Sequence, residues 1–369
     1  MKNNNKIRKI GIGIFTLLWT LLICFSWFSP RKADSESERR PLAQFPTLNI
    51  STVISSKFMT EFEDFTLDQF PLRDTFRQIK SLFSSYILNQ QDNNGIYISQ
   101  GYAAKMEYPL NIDSINYASD KFKGIYEKLL KDRVGNIYTC IVPDKGYYLA
   151  DESGHLSMDY ETLFDKFEEL MPYSQFIDIT DTLDITSYYR TDTHWRQEEI
   201  INTAKKIASA MGIELPNEED YNRVKLDRPF YGVYYGQAAL PMDPEEMYIL
   251  ESDLISDCVV TNYETEKTSA VYDMSKLTAK DQYEVFLSGP VSLLSVENPN
   301  AKSDKELIIF RDSFGSAITP LLLQGYKTVT LIDIRYLASN NLGNFVDFNG
   351  QDVLFLYSTL VLNNSTTLK

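Results

Sequence analysis

Two short stretches of the chain carry side chains that could do chemistry together. The first is Tyr188-Tyr189-Arg190-Thr191-Asp192-Thr193-His194-Trp195, which follows a strand-like run and precedes a helical pattern beginning near Arg196. An aspartate two residues from a histidine can accept the imidazole Nδ1–H, which leaves Nε2 free to take a proton from a nucleophile. The second is Arg311-Asp312-Ser313-Phe314-Gly315-Ser316, set between the apolar run ELIIF and the helix-like GSAITPLLLQ. A serine on a strand-to-helix turn meets exposed backbone N–H groups and the positive helix end, which can hold an oxyanion during acyl transfer. Each stretch alone has a plainer reading, because Asp192, Thr193, Asp312, Ser313 and Ser316 are all good helix caps. Together they supply Ser313, His194 and Asp192, the three residue types of a Ser–His–Asp triad. The Ser313 and Phe314 amides are the candidate oxyanion donors, with Gly289 in FLSGP as a third. The other histidine, His155, lies in the polar turn DESGHLS with no carboxylate constellation and reads as a surface residue.

Candidate substrate contacts lie nearby in sequence. Tyr188, Tyr189, Tyr231, Tyr234 and Tyr235 could offer aromatic faces to pyranose rings, although alternating strand packing explains them equally well. Lys145, in VPDKG after a strand, could neutralise a developing charge, a solvated turn lysine being the plain alternative.

The elements that must position these residues follow an α/β pattern. Apolar runs at 137–142, 176–179, 307–310, 329–334 and 353–357 read as buried strands. Helical patterns at 160–171, 196–211 and 315–324 fall between several of them. That alternation predicts a doubly wound parallel sheet with helices on both faces, whose sites lie at the strand ends. Residues 51–131 read as a largely helical N-terminal part of this domain, with a turn around Pro71, a short strand in GIYIS and a helix over 119–131. Between about 213 and 300 the helical alternation lapses into aromatic and β-branched runs, which predicts a β-rich insertion.

The N-terminus decides the compartment. Residues 10–28 form an uncharged run close to the ~20 residues that cross a hydrocarbon core. Lys2, Lys6, Arg8 and Lys9 precede it, so residues 1–9 read as a cytoplasmic tail and the remainder as extracytoplasmic. A cleaved signal peptide is the rival, but the run is long for one and lacks a small-residue cleavage site. A lipoprotein reading of Cys24 is disfavoured by bulky Ile23 and Phe25. Residues 29–50 are polar, charge-dense and Pro-punctuated, and read as a spacer ahead of a domain over 51–369. The net charge of −15 provides no basic footprint for nucleic acid. Three cysteines and two histidines exclude a disulfide framework and a His-rich metal centre. Cys140 and Cys258 sit in apolar runs, where a buried free thiol is the common state.

The chain resembles the DHHW family and its relatives, the alginate O-acetylation proteins of the AlgX and AlgJ type, which carry an SGNH-hydrolase-like domain. The resemblance rests on ERRPLAQFP at 38–46, FPLRDTF at 70–76, NGIYI at 94–98, VPDKG at 142–146, YYRTDTHW at 188–195, FYGVYYGQAAL at 230–240, RDSFG at 311–315 and the final strand LFLYS. It implies an SGNH-like fold in permuted order, Asp and His before Ser, with Asp192, His194 and Ser313 as the family's Asp, His and nucleophile. Thr193 stands where the family name has its first His, and the Gly and Asn blocks of ordinary SGNH enzymes are not placed. The implied activity is O-acetylation of an exopolysaccharide or envelope glycan through an acetyl-serine. An acetylesterase with the same triad, or a non-catalytic glycan-binding scaffold, is the alternative. The chemistry calls for no metal or organic cofactor. A membrane-bound O-acyltransferase of the AlgI type is the partner that the resemblance implies.

Overall fold

The apolar N-terminal run folds as one helix, α1 (Lys2–Phe28). Its segment Arg8–Phe28 has 21 residues, and its most apolar 18-residue stretch has a mean hydropathy of 2.0, with none of that stretch buried. At 1.5 Å per residue that is about 30 Å, long enough to span a bilayer. The computed structural model describes residues 2–35 and 37–369. Met1 of the predicted tail and Glu36 of the predicted spacer lie outside the described residues.

The chain divides into two compact units, one of residues 1–90 with 239–241 and one of residues 91–238 with 242–369. Residues 51–90 therefore group with the anchor helix, where the sequence pattern assigned 51–131 to a single domain with the sheet. In the first unit Pro71 separates α2 (Lys57–Asp68) from α3 (Arg73–Leu82). Phe45 packs edge-on against Phe58, Phe62 and Phe65 of α2. Arg40 closes this cluster with a two-toothed ion pair to Asp68, at 2.8 and 2.6 Å.

The second unit opens with a hairpin, β1 (Ile96–Ser99) and β2 (Tyr102–Lys105), and a helix, α4 (Ile112–Ile125), seven residues earlier than predicted. There follow β3 (Ile137–Val142), α5 (Lys145–Ser153), α6 (Tyr160–Leu170), β4 (Gln175–Phe176) and α7 (Ile201–Ala210). The predicted insertion supplies β5 (Asn222–Lys225), α8 (Val233–Ala238), β6 (Tyr248–Glu251), β7 (Val259–Asn262), β8 (Lys267–Ser269) and β9 (Leu293–Glu297). The chain ends on β10 (Glu306–Arg311), α9 (Phe314–Leu322), β11 (Thr328–Ile332) and β12 (Asp352–Ser358).

Eight of these strands form one sheet in the order β8-β7-β9-β11-β10-β12-β3-β4. The five from β11 to β4 are parallel, as the alternating helices require. The other three come from the insertion and extend the sheet in antiparallel fashion, beginning with Val296 opposite Val329. The insertion is thus mixed, with two strands in a separate β5–β6 hairpin. Successive residues of the central strands face opposite cores. Leu307, Ile309, Leu354 and Leu356 pack with Ala204, Ile207 and Leu321 on one side. Ile308, Phe310, Val353 and Phe355 pack with Phe122, Leu163 and Phe167 on the other. Covering both faces explains why these strands read as continuous apolar runs.

Two boundaries differ from the pattern for local reasons. The predicted strand at 176–179 stops at Phe176 because Asp178 accepts from the Thr180 N–H and hydroxyl, closing a turn. The helix predicted from 196 begins at Ile201, since Arg196 is extended and Gln197–Glu199 form a 3₁₀ turn. His194 therefore lies on a loop, outside any helix. Cys140 and Cys258 are both free and buried.

Candidate active site

Ser313 stands two residues after the end of β10, at the carboxyl edge of the parallel strands, with ordinary right-handed backbone angles (φ −66°, ψ −21°). No strain is stored in this turn. Its neighbours hold it from both sides. Asp312, which is buried, accepts from the Phe314 N–H at 3.0 Å with one oxygen. Its other oxygen accepts from the Ser358 N–H and hydroxyl at 2.8 and 2.7 Å, locking the turn to the end of β12. Arg311, also fully buried, donates to Ser316 Oγ at 3.0 Å and reaches the carbonyls of Gly289 and Val291 at 3.4 Å.

The loop 188–195 brings the other two residues to that turn. His194 Nδ1 lies 2.6 Å from Asp192 Oδ1, and His194 Nε2 lies 2.7 Å from Ser313 Oγ, 119 residues away in sequence. The carboxylate on Nδ1 assigns the ring proton to that nitrogen, so Nε2 accepts the serine hydroxyl. Asp192 has no exposed surface, and its second oxygen accepts from the Val233 N–H at 2.7 Å. The imidazole stacks on the Tyr283 ring, centroids 3.9 Å apart and 8° from parallel. A second tie joins the sequence neighbours: the Trp195 indole N–H donates to the Phe314 carbonyl at 3.1 Å. Of the three, Ser313 is the one that is not buried.

Thr191 anchors the loop to the insertion. Its hydroxyl accepts from the Gly232 N–H at 2.9 Å, and its carbonyl accepts from the N–H groups of Tyr234 and Tyr235. Gly232 permits this approach, because a Cβ there would fall 2.3 Å from the backbone of Thr191 and Asp192.

Other predicted contacts come out differently. The Phe314 N–H is engaged by Asp312 and the Gly289 N–H by the Phe286 carbonyl at 3.3 Å. Gly289 presents its carbonyl to Arg311 instead, the wrong polarity for an oxyanion. Of the three candidate donors, the Ser313 amide is the one without a hydrogen bond among the described residues. Tyr188 and Tyr189 are buried, so neither offers a face to a sugar; the Tyr188 hydroxyl donates to the Pro143 carbonyl at 2.6 Å. Tyr234 is buried as well, donating to Thr193 Oγ1 at 3.0 Å. Tyr235 is half-buried beside exposed Tyr231, ring centroids 4.8 Å apart. Lys145 is buried too, neither solvated nor open to a substrate. His155 stacks on Tyr97 and bonds Ser153, away from the triad residues in every contact it makes. The histidine's stacking partner Tyr283 and the loop's anchor Glu245 lie in no motif, because each acts through contacts distant in sequence, while Gly232 lies in FYGVYYGQAAL with nothing local to mark its role.

The matching family adds to this geometry. Residues 180–332 match the family described as DHHW protein. The matched segment holds Asp192, His194 and Ser313 together, so the resemblance seen in the motifs stands. Among solved structures, a DHHW family protein from Eubacterium siraeum is similar with a TM-score of 0.62 and 20% identity, covering 75% of this chain and 95% of that one. PatB1 of Bacillus cereus, in a structure with a sulfonyl adduct, is similar with a TM-score of 0.58 and 16% identity, covering 72% and 97%. The O-acetyltransferase domain of Pseudomonas putida AlgJ follows with a TM-score of 0.45 and 12% identity, covering 73% and 92%. The first two likenesses establish the fold, an α/β architecture around a mostly parallel sheet. No curated protein matches the chain significantly.

Proposed function

We propose that this DHHW-like chain is a membrane-anchored, extracytoplasmic O-acetyltransferase that modifies an exopolysaccharide or envelope glycan. The observation that carries the reading is the continuous Asp192–His194–Ser313 hydrogen-bond line, at 2.6 and 2.7 Å. His194 Nε2 takes the Ser313 proton as Oγ attacks the acetyl carbonyl. The tetrahedral oxyanion faces the Ser313 N–H, and the leaving group departs with the proton returned by His194. The acetyl-serine is then attacked by a glycan hydroxyl whose proton passes to the same nitrogen, restoring free Ser313. Asp192 keeps the ring in the required tautomer and stabilises the imidazolium.

Transfer, as opposed to hydrolysis, is favoured by the resemblance of the motifs to the alginate O-acetylation proteins. The span Arg8–Phe28 supports anchoring, and the basic residues before it support an extracytoplasmic domain. An acetyl donor made in the cytoplasm would then need a membrane partner, for which an O-acyltransferase of the AlgI type is the natural candidate.

The test is intact-protein mass spectrometry of the full chain in detergent, treated with an activated acetyl ester or an arylsulfonyl fluoride, beside Ser313→Ala. An adduct on Ser313 that the variant lacks, passed to a glycan acceptor, supports the transferase. Rapid Ser313-dependent ester hydrolysis with no transfer replaces it with the esterase. Neither adduct nor turnover replaces both with a scaffold.

A further inference from the structure

Lys145 stands at the start of α5, three residues beyond Val142, the last strand residue of the motif VPDKG, and is 2% exposed. Its ammonium donates to the Tyr189 carbonyl at 2.9 Å and the Arg190 carbonyl at 3.2 Å. Glu245, from the insertion, takes the opposite ends of the same two peptide groups. Its carboxylate accepts from the Arg190 N–H at 2.6 Å and from the Thr191 N–H and hydroxyl at 2.7 Å. Peptides 189–190 and 190–191 are thus each held with the carbonyl on a lysine and the amide on a glutamate. They lead directly into Asp192.

We infer that Lys145 and Glu245 form a two-sided peptide clamp that sets the position of the Asp192–His194 pair against Ser313. Both are positioning residues, since neither touches the reacting atoms. The inference rests on the triad reading of the same site. Burying a charge is costly unless it is paired and bonded, so two such groups on one loop are expensive for packing alone. Lys145 also lies 5.0 Å from the Tyr234 ring centroid, and Tyr234 bonds Thr193 inside the same loop. The charged groups facing Lys145 are Asp192 of the loop, Glu245 of the insertion and its own neighbour Asp144; burial pulls its ammonium down to about 7 against all three.

The experiment compares the full chain in detergent with Lys145→Met and Glu245→Gln. It reads the rate of arylsulfonyl fluoride labelling at Ser313 across pH, the thermal midpoint, and hydrogen exchange over residues 188–196. A displacement of about 1 Å at a reacting group can cost about 10²-fold. We expect labelling to fall about 10- to 100-fold in Lys145→Met and about tenfold in Glu245→Gln, with exchange about tenfold faster in that segment. In Lys145→Met the acid-side midpoint of the labelling profile should also move up, because a cation beside Asp192 no longer opposes protonation of the pair; a purely structural loss lowers the rate without moving the midpoint. A folded Lys145→Met chain with unchanged rate, midpoint and exchange overturns the inference. If that variant does not fold, unchanged labelling and exchange in Glu245→Gln overturn it. Absence of Ser313 labelling in the unaltered chain defeats the triad reading instead, and the exchange measurement still judges the clamp.

Discussion

The two halves of the candidate site are built in opposite ways. The Ser313 turn is held by the sheet itself. It continues β10, and Asp312 fastens it to the end of the neighbouring strand β12 through Ser358. The Asp192–His194 loop continues no strand of the main sheet. It hangs on side chains and amides from four separate segments, at Ala103 of β2, at Lys145, at Gly232 with Val233, and at Glu245. A nucleophile on a sheet edge inherits its position from the fold, whereas a base on such a loop depends on each tether. Removing a tether should therefore cost reactivity on the loop side and stability on the turn side.

The sharpest way to break this contrast is Asp192→Asn. An amide cannot accept at both Nδ1 and the Val233 N–H while keeping the ring tautomer, so labelling of Ser313 should fall about 10³- to 10⁴-fold with little change in thermal midpoint. A loss under tenfold in a labelling assay would remove Asp192 from the machinery. Next comes Gly232→Ala, where the added Cβ would lie 2.3 Å from Thr191 and Asp192 backbone atoms. We expect about 3 kcal/mol of destabilisation by urea unfolding, together with slower labelling, because backbone must move. On the turn side, Asp312→Asn keeps only one of the two oxygens that serve three donors and should cost about 1–3 kcal/mol while Ser313 keeps most of its reactivity. Equal losses of reactivity in Asp312→Asn and Asp192→Asn would erase the distinction.

Lysine 145 sharpens the comparison through pH. Its ammonium ordinarily titrates near 10.5 but at about 7 in the fold, because burial outweighs the nearby carboxylates. Between those values the unfolded chain holds a proton that the folded chain has shed, so this group's contribution to stability rises as pH climbs from about 7 to about 10.5. Urea midpoints of the unaltered chain should rise relative to Lys145→Met over that window, and a constant difference would show the amine is not desolvated. The smallest effect belongs to Ser358→Ala, about 1 kcal/mol from one hydroxyl bond to Asp312, read by the same unfolding assay.

Much of this was legible in the sequence. Four of the five parallel strands announced themselves as apolar runs because both of their faces are covered, and Ser313 could be placed at the end of one of them. The spacing of Asp192 and His194 pointed to their hydrogen bond because two residues on a tight loop have few other ways to meet. What stayed hidden depended on burial. Tyr188, Tyr189, Tyr234 and Lys145 look like surface binders in a polar stretch, yet Tyr188 and Tyr189 lie on a loop bonded to the insertion, Tyr234 lies in that insertion, and Lys145 is buried against the loop's carbonyls. Two of the three candidate oxyanion donors are engaged for a related reason: an amide's availability depends on what packs around it, and Asp312 takes the Phe314 N–H while the Phe286 carbonyl takes that of Gly289.

By itself, the sequence determined what local pattern can carry: an apolar span near the N-terminus, the α/β alternation, and residue types capable of acyl chemistry at one strand end and on one further loop. Those signals are local because hydrophobic periodicity and turn chemistry are written over a few residues. Only the tertiary structure decided that His194 meets Ser313 across 119 residues, that three insertion strands join the sheet antiparallel, and that a buried lysine and glutamate grip consecutive peptides ahead of Asp192. Such contacts are chosen by the packing of the whole chain, since burying each polar group demands a partner that only the fold can bring within reach.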